Sequence, residues 1–385
     1  MSDIQSILEH IERRKGKTIS LLQEMVKTPS VTGEEKTIAE LIAHEMRTIG
    51  LSNVRIDGLG NVIGETGGGE KTQLLYNGHM DTVPVGERDL WQIDPYSGEV
   101  RDGKVWGRGA CDMKGALAAM LSAADALNTA NQTLQGKLII TAVVLEENAA
   151  LEGTKYTIEE DGIKPDYALV GEATGLNVSL GSRGRIELQL TSKGRTAHAS
   201  TPTKGVNAIM EMVKLAGLLE EMKLPRHEFL GSTTQAITNI TCSPGRSNVI
   251  PDLCTVTIDR RIVPGEDQER VVKDFMELFS GSGIREEEYA IRVSKYAPPA
   301  YVPPENPVVK ALSRAAESVT GKTPEFTKYR FGTDASYLGT IAGIPTVGLG
   351  PGDEMLAHSP NENVPIDEVI TAAKIYAMLA LTLLA

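Results

Sequence analysis

Residues 74–84, LLYNGHMDTVP, join an apolar run to a polar end. The run has the character of a buried strand, and the proline at position 84 closes the segment. His79 and Asp81 follow directly, in a chain with only six histidines. Two interpretations are open at this point. The pair could belong to an ordinary turn, or His79 could be a metal ligand with an orienting carboxylate nearby.

The segments that follow repeat this pattern. LIITAVVL at 138–145 and YALV at 167–170 are near-continuous apolar runs, typical of strands covered on both faces. The Ala-rich stretch at 113–128 is apolar almost all round and predicts a buried helix. Because helices alternate with apolar strands, we predict an α/β fold in which a sheet lies between helices.

The pattern changes after about residue 180. GRIELQLTSKGR at 184–195 and LCTVTIDRRIV at 253–263 alternate by twos, which indicates an antiparallel sheet with one covered face. A proline-rich link begins near residue 297, and helix and strand patterns then return. We therefore predict a discontinuous catalytic domain of residues 1–180 and 294–385, with a smaller inserted domain of residues 181–293.

Length, charge and cysteine content narrow the class of protein. The 385 residues suggest about two domains. A net charge of -12 argues against nucleic acid or an anionic membrane as a partner. Cys111, Cys242 and Cys254 match no zinc-binding CxxC pattern and indicate a reducing compartment. The charged N-terminus lacks a signal-peptide pattern and no apolar run is long enough to span a bilayer, so we expect a cytoplasmic protein.

Histidines and carboxylates follow the apolar strands at several points, where ligands bind in open α/β sheets. Singly, each has an ordinary explanation, such as an N-cap for Asp112. Together they favour a metal site, because buried charges need partners or a metal. Imidazole and carboxylate groups suit zinc, cobalt or manganese. The residues concerned are His79, Asp81, Asp112, Glu146, Glu147, Glu172 and His358.

Two common hydrolase patterns are missing from the sequence. There is no GxSxG nucleophile elbow and no HExxH zinc motif. A serine hydrolase of the elbow type and a metallopeptidase of the HExxH type are therefore disfavoured.

Eight motifs in order carry a family resemblance: NGHMDTVP, WGRGACDMKG, LEEN, GEAT, GRTAHASTPTKGVNAI, SNVIPD, DRRIVPGE and FGTDAS…AHSPNE. They resemble the dinuclear zinc amidohydrolases of peptidase family M20, which include acetylornithine deacetylase, succinyl-diaminopimelate desuccinylase, aminoacylase and glutamate carboxypeptidase. The resemblance implies a zinc-peptidase-like catalytic domain with a central mixed sheet flanked by helices. It also implies an inserted α+β, ferredoxin-like lid or dimerisation domain.

The resemblance implies a role for each residue of the expected metal site. His79 and Glu172 would bind one ion, Glu147 and His358 a second, and Asp112 would bridge the two. Asp81 would orient His79 through its free ring nitrogen. Glu146 would be the general base. A cis peptide bond would follow Asp112. The expected metal ligands are thus His79, Asp112, Glu147, Glu172 and His358.

The same resemblance implies residues that would contact the substrate. His198 would donate a hydrogen bond to the oxyanion, in its own active site or in that of a partner subunit. Arg261 and Asn248 would bind the substrate, and Arg261 would contact the free carboxylate of the substrate. Gly332 and Thr333 would offer backbone or hydroxyl donors.

We therefore predict a hydrolase with two divalent metal ions per chain, zinc first and cobalt or manganese as alternatives. It would cleave the amide bond of an N-acyl amino acid and form a homodimer through the inserted domain. A carboxypeptidase or dipeptidase acting on short peptides is an alternative with the same site. A non-catalytic metal-binding or peptide-binding module is a remote alternative. The segments LEENAALEGTKY and GEAT depart from the usual family pattern, which leaves the substrate open.

Overall fold

The structure is a computed structural model that describes residues 3–69, 71–130, 134–148 and 151–385. The α-helices of these residues are α1 (Asp3–Arg13), α2 (Lys15–Lys27), α3 (Lys36–Thr48), α4 (Gly115–Thr129), α5 (Glu152–Glu159), α6 (Ala208–Glu220), α7 (Gln268–Gly281), α8 (Pro307–Thr320) and α9 (Ile366–Leu384).

The strands are β1 (Ser52–Ile56), β2 (Val62–Gly67), β3 (Gln73–His79), β4 (Glu99–Arg101), β5 (Lys104–Trp106), β6 (Lys137–Val143), β7 (Tyr167–Val170), β8 (Val178–Ser182), β9 (Gly184–Lys193), β10 (Ala197–His198), β11 (Arg226–His227), β12 (Gly231–Ser232), β13 (Thr234–Ser243), β14 (Val249–Ile250), β15 (Leu253–Ile262), β16 (Tyr289–Ala297), β17 (Ala300–Tyr301), β18 (Phe326–Tyr329), β19 (Thr346–Gly348) and β20 (Asn363–Pro365).

The main sheet is mixed, as the family resemblance implies. Its described strands follow the order β1-β2-β6-β3-β7-β19-β8-β17, and β18 pairs with β8. The central strands β6, β3, β7 and β19 are parallel to one another. The pairs β1–β2, β2–β6, β19–β8 and β17–β8 are antiparallel. Every residue of β3 from Leu74 to His79 is buried, which agrees with a strand covered on both faces.

Helices cover this sheet. The Ala-rich α4 packs against α9, α1 and α2, and most of its residues are buried, from Gly115 to Leu127. Small alanine side chains allow such close helix packing and have the highest helix propensity. None of the helices in the described parts of the chain is both long and apolar enough to cross a membrane.

The described residues divide into two compact units, Met1–Ser182 with Ala300–Ala385, and Arg183–Pro299. The second unit has the strand and helix order of a ferredoxin-like fold, with the described sheet in the order β13-β15-β9-β16. Along β9 and β15 every other residue is buried, and the apolar ones among them join α6 and α7 in one core. The assignment of one unit as catalytic and the other as a lid remains a prediction.

Candidate metal centre

The parallel strands at the middle of the main sheet end at one edge. β6, β3, β7 and β19 lie side by side in that order. Their carboxyl ends lead to Glu147, His79, Glu172 and His358 respectively. Ligands bind at this edge in open α/β sheets, so the sheet order brings residues from distant parts of the sequence to one place.

Asp112 reaches this edge from a different element. It lies in the segment Ala110–Lys114, directly before α4, where the backbone angles of Asp112 and Met113 are not helical. The peptide bond that follows Asp112 is cis, as the resemblance implies. Lys114, not Asp112, is the N-cap of α4, so the capping explanation for Asp112 is wrong. The segment fits closely against β3 because Gly78 has no side chain: a Cβ there would lie 2.7 Å from the Met113 Cε.

Two groups of potential ligand atoms share Asp112. In the first, His79 Nε2 lies 3.0 Å from Asp112 Oδ1 and 3.5 Å from Glu172 Oε1. In the second, His358 Nε2 lies 3.2 Å from Asp112 Oδ2 and 2.8 Å from Glu147 Oε2. The potential ligand atoms of each group all lie within 4.8 Å of one another. Asp112 thus offers one carboxylate oxygen to each group.

The imidazoles and carboxylates strongly shift one another's pKa values. Burial opposes protonation of His79, but Glu172 and Asp112 outweigh burial and raise the pKa of His79 well above its usual value. Hydrogen bonds to Asp112 and Glu147 raise the pKa of His358 to about 10. Burial favours a neutral Asp112, but its hydrogen bonds to both histidines hold the pKa of Asp112 well below its ordinary range. The carboxylates therefore make this a site that attracts positive charge.

The chemistry of the two groups fits divalent cations. Imidazole nitrogens with carboxylate oxygens are a common ligand set for zinc and are also used by cobalt and manganese. Asp112 is 6% exposed and Glu172 is 3% exposed. Carboxylates this deeply buried need a compensating positive charge. The first group, His79, Asp112 and Glu172, is therefore a candidate metal site, and the second group has the same chemistry.

Asp81 supports both His79 and the turn after β6. The Nδ1 atom of His79 lies 3.0 Å from the backbone oxygen of Asp81 and 3.6 Å from its Oδ1. The Asp81 carboxylate accepts the backbone N–H groups of Glu146 and Glu147, at 3.2 and 3.1 Å. Of the two parts of Asp81, the main chain is thus the one closer to the imidazole, while the side chain accepts the backbone N–H groups of the glutamate pair.

Glu146 is a buried carboxyl group at the same sheet edge. It belongs to neither group of ligand atoms found among the described residues. Burial raises the pKa of Glu146 well above its usual value, although His79 acts in the opposite direction. A carboxyl group with a raised pKa can take up and release a proton at moderate pH.

The sequence did not predict the role of Glu362, a buried carboxylate that contacts the backbone of Asp112. Oε1 of Glu362 accepts the backbone N–H groups of Cys111 and Asp112, at 2.9 and 3.0 Å. Its Oε2 accepts a 2.6 Å hydrogen bond from Arg108 Nη1, and both partners are buried. Glu362 follows His358 by four positions, so it ties the His358 segment to the Asp112 segment. The motif AHSPNE contains this glutamate, but its letters do not reveal its partners.

Lys114 is a second anchor that sequence reasoning missed. Its Nζ donates to the backbone oxygens of Met25 and Thr28, at 2.9 and 3.1 Å. These oxygens lie at the C-terminal end of α2, which carries partial negative charge. Burial lowers the pKa of Lys114 to about 7. The contact fastens the segment that carries Asp112 to the end of a neighbouring helix.

Gly332 and Thr333 follow β18 in the first unit. Gly332 is exposed, whereas Thr333 is fully buried. The hydroxyl of Thr333 accepts the backbone N–H of Ala335 at 3.2 Å. Of these two predicted substrate contacts, Gly332 is therefore the one with an accessible backbone.

The other predicted substrate contacts lie in the second unit. His198 is exposed on β10, which pairs with β14. The backbone oxygen of Asn248 accepts the N–H of Ala199 at 3.0 Å, so the structure brings Asn248 next to the His198 strand. Arg261 lies on β15, where its Nε donates to Asp259 Oδ1 at 2.8 Å.

Comparison with known proteins identifies the family. The family model described as peptidase family M20/M25/M40 matches residues 75–382. The chain belongs to this family. Its M20 relatives include the uncharacterized protein YgeY of Escherichia coli, which is 32% identical, with 98% of this chain and 97% of YgeY covered. A succinyl-diaminopimelate desuccinylase of Azoarcus is 29% identical, with 93% of this chain and 96% of the desuccinylase covered.

Solved M20 structures share the fold. The aminopeptidase PepT of Bacillus cereus has a TM-score of 0.78 and 25% sequence identity to this chain, with 95% of this chain and 98% of PepT covered. The family and the mixed α/β fold predicted from the eight motifs are thus confirmed. Metal-dependent hydrolysis is the chemistry of this peptidase family.

Proposed function

We propose that this M20 protein is a dinuclear metal-dependent hydrolase that cleaves the amide bond of an N-acyl amino acid. The proposal rests on one observation: each of the two ligand groups contains one carboxylate oxygen of Asp112. The buried carboxyl group of Glu146 lies near them. The similarity to a succinyl-diaminopimelate desuccinylase supports an N-acyl amino acid as substrate.

The ligand groups suggest how the ions would be held. His79 and Glu172 would bind one cation, Glu147 and His358 the other, and Asp112 would contact both. Zinc suits these ligands best, with cobalt and manganese as alternatives. When bound, such cations polarise the amide carbonyl and lower the pKa of water.

Glu146 is the group that would move the proton. It would accept a proton from the attacking water and then deliver it to the leaving amide nitrogen. Its raised pKa suits both steps. Asp81 would act through position, because its carboxylate fixes the backbone of Glu146 and Glu147.

Residues of the second unit would recognise the rest of the substrate. His198 would donate a hydrogen bond to the oxyanion of the tetrahedral intermediate. Arg261 would bind the free carboxylate of the substrate with the N–H groups that Asp259 does not engage. Asn248 and the backbone of Gly332, with Thr333 beside it, would supply further polar contacts.

A homodimer formed through the second unit is part of the proposal. Ile209, Met210 and Val213 of α6 are exposed, and Met210 and Val213 are each more than half exposed. β13 is the end strand of its sheet among the described residues and exposes Ile240. Exposed apolar side chains and open strand edges favour association.

Short peptides are the alternative substrates. The similarity of the fold to aminopeptidase PepT favours this second candidate. A carboxypeptidase or dipeptidase would use the same ligand groups and the same general base. A non-catalytic metal-binding or peptide-binding module is the remote alternative, and it would have no use for the proton transfer proposed for Glu146. We further propose a cytoplasmic location, in keeping with three cysteines that are all free thiols.

An activity screen tests the proposal. The purified chain is stripped with a chelator, reconstituted with zinc, cobalt or manganese, and assayed on N-acetyl and N-succinyl amino acids and on short peptides. Each substrate is paired with its C-terminal amide. We expect about two metal ions per chain and fastest turnover on N-acyl amino acids with a free carboxylate. Hydrolysis of peptides alone would favour the alternative, and absence of both metal and turnover would end the proposal.

A further inference from the structure

Two of the three cysteines face each other on neighbouring strands of the second unit. Cys242 on β13 is the direct cross-strand partner of Cys254 on β15. The thiol of Cys242 donates to Cys254 Sγ at 3.2 Å. Both residues are free thiols. Nothing in the proposed hydrolysis uses this pair.

The geometry is close to that of a cross-strand disulfide. Side chains of directly opposed residues have Cβ atoms about 4.5–5.5 Å apart, and a disulfide requires about 3.5–4.5 Å. The sulfur atoms need to approach from 3.2 Å to about 2.0 Å. Small side-chain rotations and a slight strand adjustment suffice for this, so both strands can keep their register.

The two thiols differ in access. Cys254 is fully buried in the core between the sheet and its helices, whereas Cys242 is half-buried at the edge of that core. Burial and the adjacent Cys242 raise the pKa of the Cys254 thiol to about 12. Cys242 is therefore the sulfur that a small oxidant reaches first, and Cys254 is placed to react with its product.

We propose that Cys242 and Cys254 form a reversibly oxidisable dithiol that takes a small hydroperoxide as its oxidant. The Cys242 thiolate attacks one peroxide oxygen, the O–O bond breaks, the other oxygen leaves as water or an alcohol, and Cys242 becomes a sulfenic acid. The Cys254 sulfur then attacks the sulfenic sulfur, the S–S bond forms, and water leaves. With hydrogen peroxide, two thiols and one peroxide give one disulfide and two waters.

The third cysteine lacks this arrangement. Cys111 is 1% exposed, and its Sγ donates to the backbone oxygen of Asp353 at 3.4 Å. Cys111 lies in the first unit, so it serves as an internal control for non-selective oxidation.

The disulfide would close a ring around residues 243–253. This segment contains Asn248 and β14, which pairs with the His198 strand β10. Several backbone hydrogen bonds already hold the segment, among them Asp252 N–H to the Ser243 oxygen and Ala199 N–H to the Asn248 oxygen. A covalent bond at its base would limit local opening of β14 and β10. Oxidation therefore acts on the part of the second unit that supports His198.

Peptide mapping of the full chain tests the proposal. The reduced protein is treated with hydrogen peroxide in slight excess, blocked, and digested without reductant. We expect an intramolecular Cys242–Cys254 cross-link, a mass loss of two hydrogens, and reversal by dithiothreitol. Cys111→Ser should form the same cross-link. Cys254→Ser should accumulate a sulfenic acid on Cys242 that dimedone traps.

Hydrogen exchange supplies a second measurement on the unmutated protein. Amide exchange of residues 243–253 and of His198 should slow after oxidation and recover after reduction. Oxidation of Cys111 in preference to the pair, intermolecular cross-links alone, or retention of both thiols while peroxide oxidises exposed methionines would each overturn the proposal.

Discussion

Glu362 fixes the main chain of Asp112: the Oε1 atom of Glu362 accepts the Asp112 backbone N–H at 3.0 Å. The other carboxylate oxygen pairs with Arg108 in a fully buried ion pair. The carboxylate shared by both ligand groups is thus positioned by a residue 250 positions away in the sequence.

Glu362→Gln should weaken metal binding while the fold is kept. Glutamine retains an acceptor for the Asp112 N–H but removes the charge that pairs with Arg108. We expect a loss of metal affinity of about 10–100-fold, measured by competition with a chelator. Glu368→Gln is the matched control, because that carboxylate accepts the Gly352 N–H instead. Equal affinities for both variants would contradict the positioning role.

His79→Ala should reduce metal content, whereas Asp81→Asn should mainly reduce turnover. Loss of His79 removes a nitrogen from the first ligand group, so we expect that metal content falls. Asp81→Asn keeps the backbone oxygen that contacts His79 Nδ1 but weakens the support of Glu146 and Glu147. It should retain most of its metal and lose about 10–100-fold in turnover. Metal analysis and kinetics on the same samples decide this, and full metal loss in Asp81→Asn would contradict it.

Substitutions of the two adjacent glutamates, Glu146 and Glu147, should also have different effects. Glu146→Ala removes the proposed proton carrier, so turnover should fall by about 10²–10⁴-fold with metal content unchanged. Glu147→Ala removes a contact of His358 and should lose metal. Steady-state kinetics with metal analysis measure both. Near-normal turnover in Glu146→Ala would rule out its role as the general base.

A charge on the exposed apolar surface of α6 should break the proposed dimer. Met210→Glu places a carboxylate where a 55% exposed side chain stands, and Leu90→Glu is the control in the first unit. Sedimentation should show a monomer only for Met210→Glu. If His198 serves the partner's active site, this monomer will also lose activity. A monomeric unmutated protein would contradict the dimer.

Asp161 should make stability depend on pH in the acid range. Burial and the adjacent Asp57 raise the pKa of Asp161 to about 6, so the folded protein favours the protonated form. The stability that protonated Asp161 contributes to the folded protein is fully present below the ordinary aspartate pKa of about 4. It is lost as pH rises through about 6.

Replacement of Asp161 by asparagine isolates this contribution. Relative to Asp161→Asn, the unmutated protein should lose stability between about pH 4 and pH 6 and then level off. The difference should stay below about 1 kcal/mol, because solvent screens the partly exposed carboxyl group. Urea unfolding of both proteins across this range measures it. A gain in relative stability as pH rises would show that the sign is wrong.

Much of the site was predictable because its elements carry local patterns. Apolar runs predict the strands that end at His79, Glu147 and Glu172, and parallel strands place their carboxyl ends together. Eight ordered motifs predict the family. The period-two alternation at 184–195 and 253–263 likewise predicts the antiparallel sheet of the second unit.

What the sequence by itself determined is therefore the type of each element, the family and the candidate ligands. Only the tertiary structure decided which atoms meet: the two oxygens of Asp112, the Glu362 contact behind it, the main-chain contact of Asp81, and the Cys242–Cys254 pair. The physical reason is that periodicity depends on neighbours along the chain. These contacts depend instead on strand order and register, which join residues that are remote in sequence.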